Sequence, residues 1–295
     1  VTLGLSDELG HDRLLDTPIS EEGLTGVAIG AAMAGLRPIA DVQYGDFLFN
    51  AMDQIANQAA KMTYMSGGTV KVPMVMRVPV GATSRGAQHA QSLEAFFTHI
   101  PGLKVVAPAT AYDAKGLLKS AVRDENPVLV FEHKLLYGSK GPRSEPGALS
   151  PIGEVPEGEY LVPIGQGIVR REGRHVTIVG KLLTMYRALE AADVLAQEGI
   201  EAEVIDPRSL VPLDLELILG SVRKTGRLVI VEEDNLTGGW AADVAAIAAD
   251  EAFDWLDAPI KRVSAPDTPA PFAPIMEQFY VPSAQRVVDA VKSLF

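Results

Sequence analysis

Apolar positions along the chain recur with two alternating periods. Residues 47–65 (FLFNAMDQIANQAAKMTYM) place apolar side chains three and four apart, the spacing of one helix face. Residues 72–80 (VPMVMRVPV) are almost continuously apolar, as in a strand covered on both sides. PIADVQ (38–43), KVVAPA (104–109) and PVLVFEH (127–133) read as further strands. SLEAFFTHI (92–100), opened by Ser92, and YDAKGLLKSAVRD (112–124) read as helices. The pattern breaks over 134–173, which carries Pro142, Pro146, Pro151, Pro156 and Pro163 and reads as a linker crossing the surface. Alternation then resumes. Strands are expected at 175–180, 201–207, 227–233 and 260–264, and helices at 182–199, 213–225, 240–256 and 283–295, the last capped by Ser283. The expected fold class is α/β: two parallel-sheet domains covered by helices, spanning 1–140 and 174–295 and joined by a linker over 141–173.

Charge and composition narrow the function classes. A formal net charge of -12 argues against nucleic acid or an anionic membrane as partner. The absence of cysteine excludes a disulfide framework and thiolate chemistry, and fits a cytoplasmic protein. No apolar run approaches the roughly 18 residues of a membrane span, and no basic-then-apolar leader is seen. The chain starts inside what reads as a helix (VTLGLSDELG), so residues are expected ahead of Val1.

Two stretches carry candidate chemistry. In LLDTPISEEGLTGVAIGAAMAG, Glu21 and Glu22 stand where an extended segment turns into a helix behind the N-cap residue Ser20. One reading makes both acids first-turn partners of the helix dipole, worth roughly 0.3–1 kcal/mol each. The other starts from Gly26, Gly30 and Ala34, which leave one helix face without bulk, as a close backbone or ligand would require. A carboxylate desolvated at the mouth of such a helix suits proton sharing. The second stretch, GATSRGAQHAQSLEAFF, follows the strand of residues 72–80 at its carboxyl end, where open parallel sheets bind ligands. It places Arg85 and His89 at a candidate site, although His89 also reads as an ordinary loop histidine. Tyr44, Phe47 and Phe49 suit either ring stacking or core packing. His133 closes a strand, and Gly238, Gly239 and Trp240 open a helix that forms either an anion cradle or a plain turn. His11, His99 and His175 have no evident partner. Walker loops, a GxGxxG after a strand, paired metal-binding histidines and a GDG motif are all missing from the sequence.

Taken in order, DTPISE, GAAMAGLRPI, DQIANQAAK, YMSGG, GAQHAQS, HIPGLKVVAP, DAKGLLKSAVRD, ENPVLVFEHKLLYG, DPRSLVPLD and KTGRLVIVEE resemble the beta subunits of thiamine-diphosphate-dependent 2-oxo acid dehydrogenases, including pyruvate, branched-chain and acetoin members. The resemblance covers essentially the whole chain. It implies a transketolase-like pyrimidine-binding domain followed by a transketolase C-terminal-like domain. It also implies an alpha subunit that holds the cofactor diphosphate and magnesium through its own GDG motif, in a tetramer of two alpha and two beta chains, with a lipoyl-bearing acyltransferase as acceptor. Glu21 matches the carboxylate that contacts the aminopyrimidine, and Glu22 is left as a first-turn charge. Phe47 matches an aromatic packed near that ring, and Gln43 is counted with the cofactor contacts. His89 matches the family's proton-transfer histidine, although QHAQS carries Ala90 where the family pattern has serine. Met74, Ala121, Val122, Asp124 and Asn126 match carbonyls that hold a structural potassium ion. Glycine-rich and GED segments that precede this start in the family are expected upstream. Pyruvate is the first expected substrate and acetoin the second. A non-catalytic scaffold subunit and a fragment of a single-chain transketolase-type enzyme are the rival readings.

Overall fold

The computed structural model describes residues 4–137 and 148–295. Ten strands lie along the described residues: β1 (Ile39–Asp41), β2 (Val75–Val80), β3 (Lys104–Val106), β4 (Val128–His133), β5 (Ile168–Arg171), β6 (Val176–Gly180), β7 (Ala202–Asp206), β8 (Ser209–Val211), β9 (Leu228–Asn235) and β10 (Lys261–Ala265). They form two five-stranded sheets in the orders β1-β2-β4-β3-β8 and β10-β9-β6-β7-β5. Each sheet is parallel except for one antiparallel edge strand: β8 on β3, and β5 on β7. Strands β6 and β7 are buried at every position, and their mainly apolar runs include the buried polar residues Thr177, Glu203 and Asp206.

The structure redraws several expected elements. β5 falls inside the 134–173 stretch read as linker, and β8 carries the chain back from the second half onto the first sheet. The helix expected over 47–65 has three geometries: a 3₁₀ turn (Gly45–Ala51), a π turn (Gln54–Ala59) and an α end (Ala60–Met65). π turns inside helices recur at functional sites. The helix after residue 92 spans Glu94–Thr98 with Leu93 at its N-cap, so Ser92 does not cap it. The long helix of the second half stops at Glu251 and gives way to a 3₁₀ turn, Phe253–Trp255. Helix Pro274–Tyr280 was not expected. The final helix starts as read, with the Ser283 hydroxyl accepting the Arg286 amide at 3.3 Å.

One apolar core runs through both halves, joining Leu48, Phe97 and Phe131 to Ile205, Leu219 and Trp240. Buried charges cross the same seam. Lys181 Nζ lies 3.2 Å from Glu94 of the first half and 3.1 Å from Asp234 of the second, with all three side chains almost fully buried. Asp113, at the start of helix Ala111–Arg123, pairs with Arg170 and with Arg208, the latter at 3.1 Å. Burial pushes Glu94 up to about 8, the nearby Asp234 carboxylate adding to the rise while Lys181 opposes it. Glu232, 2.8 Å from the Ser264 hydroxyl, is also pushed up to about 8 by burial and by Asp234.

A folded-state value near 8 against an ordinary 4.5 gives the sign of the pH dependence. The unfolded chain releases the Glu94 proton first as pH rises, so stability drains away between about pH 4.5 and 8. Glu94→Gln removes that titration. Thermal unfolding midpoints of variant and parent are expected to diverge in the variant's favour from pH 5 to 8. The scale is roughly 2–4 °C for each kcal/mol of linkage. Parallel curves over that range would show that Glu94 stays ionised in the seam.

Candidate active site

Ser20 caps helix Glu21–Met33 by accepting the Gly23 amide at 3.2 Å, which sets Glu21 as the first helical residue. Glu21 is 8% exposed while Glu22 faces solvent, so the two neighbouring acids separate by burial. Among the described residues the Glu21 carboxylate has no hydrogen-bond or ion-pair partner, and its oxygens are not sealed from the surface. The helix packs against the 3₁₀ turn Gly45–Ala51 and the π turn Gln54–Ala59. Gly26 faces Gln54, but Gly30 has nothing within 4 Å of where a Cβ would stand. The close neighbour expected along the Gly26, Gly30, Ala34 face is therefore absent at Gly30 among the described residues.

The same 3₁₀ turn carries Phe47, and with Tyr44 it packs on His89. The Tyr44 and His89 rings meet edge-on at 4.7 Å, Phe47 and His89 at 5.2 Å, and Tyr44 and Phe47 at 6.1 Å. Two expected site residues, Phe47 and His89, are thus in contact, and Glu21 lies on the helix that backs them. Gln43 is exposed and stands outside this cluster. Phe49 leaves it to pair with Phe96 at 5.2 Å.

The loop bearing His89 is tied down by side chains the motifs did not single out. Glu233 accepts the Ala82 amide at 2.6 Å and meets His133 Nε2 at 2.9 Å. The His133 Nδ1 accepts the Leu135 amide at 3.2 Å, so Nε2 carries the proton and donates to Glu233. Burial would raise the Glu233 carboxyl, but His133 and the Ala82 amide outweigh it and hold the group below its ordinary range. Glu277 receives the Ser84 amide and hydroxyl. Asp46 receives the Gln91 side-chain amide at 2.8 Å. Lys134 donates to the His89 carbonyl and stands 4.9 Å from the Tyr44 ring centre. Arg85 is exposed. The only advance signal for these tethers was the position of His133 at the carboxyl end of β4.

Other expected sites resolve differently. The amide at the mouth of helix Trp240–Glu251 donates from Ala241 to Glu232 at 2.7 Å, so the chain's own carboxylate takes the place of an anion there. Of the five potassium carbonyls, those of Val122 and Asp124 accept the Arg37 guanidinium at 3.0 and 2.9 Å. The Met74 carbonyl accepts the Val128 amide at 2.9 Å, and that of Ala121 the Asp124 amide at 3.2 Å. The Asp124 side chain binds Asn126 and pairs with Lys104. A potassium ion would have to share two carbonyls with a guanidinium. No cluster of three or more acidic or histidine ligands occurs among the described residues, and none of their helices is long and apolar enough to cross a membrane.

Family comparisons fit this architecture. The transketolase pyrimidine binding domain matches residues 1–140, and the transketolase C-terminal domain matches residues 165–287. The acetoin:2,6-dichlorophenolindophenol oxidoreductase subunit beta of Bacillus subtilis is 48% identical over 295 residues, covering 100% of this chain and 83% of that protein. The pyruvate dehydrogenase E1 component subunit beta of Rickettsia felis is 48% identical, covering 100% and 87%. The 2-oxoisovalerate dehydrogenase subunit beta of Bacillus subtilis is 45% identical, covering 99% and 87%. Among solved structures, a split gene transketolase described as an inactive beta4 tetramer superposes with a TM-score of 0.79 at 28% identity, covering 99% of this chain and 87% of that one.

Gly81 tests how tightly the loop is held. Its φ is +94°, and a Cβ there would overlap the His133 ring. Gly67 has φ +63° with open space around it. Gly67→Ala is expected to lose only the left-handed backbone term, about 1–2 kcal/mol. Gly81→Ala should lose clearly more, because the His133 bond to Glu233 must also break. Urea unfolding of the two variants side by side measures the difference. Equal losses would show that the loop yields freely.

Proposed function

The chain belongs to the family of beta subunits of thiamine-diphosphate-dependent 2-oxo acid and acetoin dehydrogenases, and we propose that it supplies the carboxylate half of a cofactor site completed by an alpha subunit. The reaction is decarboxylation of a 2-oxo acid, pyruvate first, with transfer of the acyl unit to a lipoyl group. Acetoin cleavage is the alternative. The acetoin relatives are 48% and 50% identical and the pyruvate relatives 45–48%, a spread too narrow to rank the two substrates.

The observation that carries this reading is Glu21, a largely buried residue whose carboxylate has no partner among the described residues. When bound, thiamine diphosphate supplies the electron sink for cleavage beside a carbonyl. In this reading Glu21 holds a proton against a ring nitrogen of the aminopyrimidine. A carboxylate with no partner within the described chain and with its oxygens still open to the surface is free to make that one bond. The edges of Phe47 and Tyr44 wall the site and fix the plane of His89, which serves proton transfer at the substrate. The diphosphate and magnesium fall to the alpha chain, since this chain has no GDG motif.

An apolar stripe supports the partner. Phe272, Ile275, Met276 and Phe279 on and beside helix Pro274–Tyr280 are 59–78% exposed. The Phe272 ring would stand 3.4 Å from a Cβ at Gly86, so the stripe adjoins the loop that carries His89. A contiguous exposed apolar patch of this kind marks an interaction surface.

Two experiments test the proposal in a complex co-expressed with a GDG-containing alpha subunit. Glu21→Gln should lower decarboxylation of pyruvate or cleavage of acetoin by about 10²–10⁴-fold, the range of a lost acid–base step, with the unfolding midpoint unchanged. Near-parent turnover would favour the scaffold reading, in which Glu21 only begins a helix. The double change Phe272→Ser and Phe279→Ser should abolish co-purification of the alpha chain while the isolated chain keeps its unfolding midpoint. Retention of the alpha chain would move the interface elsewhere.

A further inference from the structure

We propose that Lys134 is the positioning residue for His89, clasping both the backbone of that residue and the ring on which its imidazole rests. The inference rests on the reading of His89 as a proton-transfer group. The loop of residues 81–92 is tethered near its start by Glu233 at Ala82 and by Glu277 at Ser84, and at its end by Asp46 at Gln91. Between Ser84 and Gln91, Lys134 provides the one side-chain tether from elsewhere in the fold among the described residues, through Nζ to the His89 carbonyl. The same ammonium lies over the Tyr44 ring at 4.9 Å, and Tyr44 in turn meets His89 edge-on at 4.7 Å. One cation therefore fixes where the residue sits and which way its ring faces. Lys134 is itself immobilised. It follows His133, whose two ring nitrogens are bound to Leu135 and Glu233, and it opens the 3₁₀ turn Lys134–Leu136.

The charges around Lys134 make the clasp sensitive to pH. Burial lowers its ammonium to about 8, with Arg85 adding to the drop, while Asp46, Glu233 and Glu277 oppose it. Above that pH the neutral amine keeps a weak hydrogen bond but loses its attraction for the Tyr44 face and for the three carboxylates. The loop then keeps its tethers at Ala82, Ser84 and Gln91 and loses the one at His89.

The test uses the complex with its alpha subunit. Lys134→Met should reduce kcat by about 100-fold, the scale of a misplaced catalytic group, with KM for the 2-oxo acid or acetoin nearly unchanged. It should also remove the alkaline limb near pH 8 from the kcat profile. Lys134→Arg, which keeps the charge and can still donate to the carbonyl, should recover kcat to within about threefold. Hydrogen exchange gives an independent readout: amides 85–90 should exchange faster in Lys134→Met while those of β4 stay protected. Lys134→Gln replaces the methionine variant if that one does not fold. Parent-like kcat in Lys134→Met, or unchanged exchange at 85–90, overturns the proposal. Parent-like activity of His89→Gln instead overturns the reading of His89, and the clasp is then judged by exchange alone.

Discussion

The geometry of the site depends on one buried carboxylate, Glu233, reaching from the second sheet to two groups of the first half. It takes the Ala82 amide at the start of the loop that carries His89 and the His133 imidazole at the end of β4. Strand alternation explains why this acid is available. Along β9 the side chains of Glu232 and Asp234 point to one face and that of Glu233 to the other. The first two belong to the group around Lys181 and Ser264. The third is left to face β2 and β4, so three consecutive acids divide into two separate tasks.

Adhesion between the halves and their relative orientation come from different forces. The shared apolar core supplies the favourable burial, which is non-directional. It would hold the halves together in many arrangements. The buried ion pair between Asp113 and Arg208, the bond between Glu233 and His133, and the contact of the Lys181 ammonium with Glu94 tolerate only one. Breaking a buried pair leaves an uncompensated charge in a poorly polarisable medium, at a cost of about 3–5 kcal/mol. A slipped packing would break all three at once. These polar contacts therefore add little adhesion and a large penalty for error, which is what a loop defined by tethers from both halves requires.

Much of the scaffold was legible because parallel strands buried on both faces leave mainly apolar runs, and β2, β4, β6, β7 and β9 do so with few polar interruptions. β5 and β8 left no such run. β5 is half-buried at every position and contains two arginines, and β8 has three residues. Each is a strand only because a partner edge lies beside it. The resemblance pointed to Phe47 and His89, and the structure brings their rings into contact. Gln43, counted with them, is exposed, while the neighbouring Tyr44 packs on His89. Lys134, Glu233 and Glu277 left no local signal. Their roles arise from contacts 45, 151 and 193 residues distant in the chain, which no periodicity records.

The open part of the site and the sticky part of the surface are joined by the same loop. Phe272 lies against Gly86, His89 packs on Phe47, and the turn bearing Phe47 backs the helix that begins at Glu21. A continuous chain of contacts thus runs from the exposed stripe to the partnerless carboxylate. A subunit seated on that stripe would press first on residues 85–88, the stretch between the Glu277 tether and the Lys134 clasp. Gly86 has φ +80°, a backbone state that glycine adopts freely. This stretch can therefore adjust to a partner while the tethers on either side hold His89 and Gln91 in place. The loop is yielding where another chain would touch it and rigid where chemistry would need it, and that division follows from which of its residues have partners in the second half of the chain.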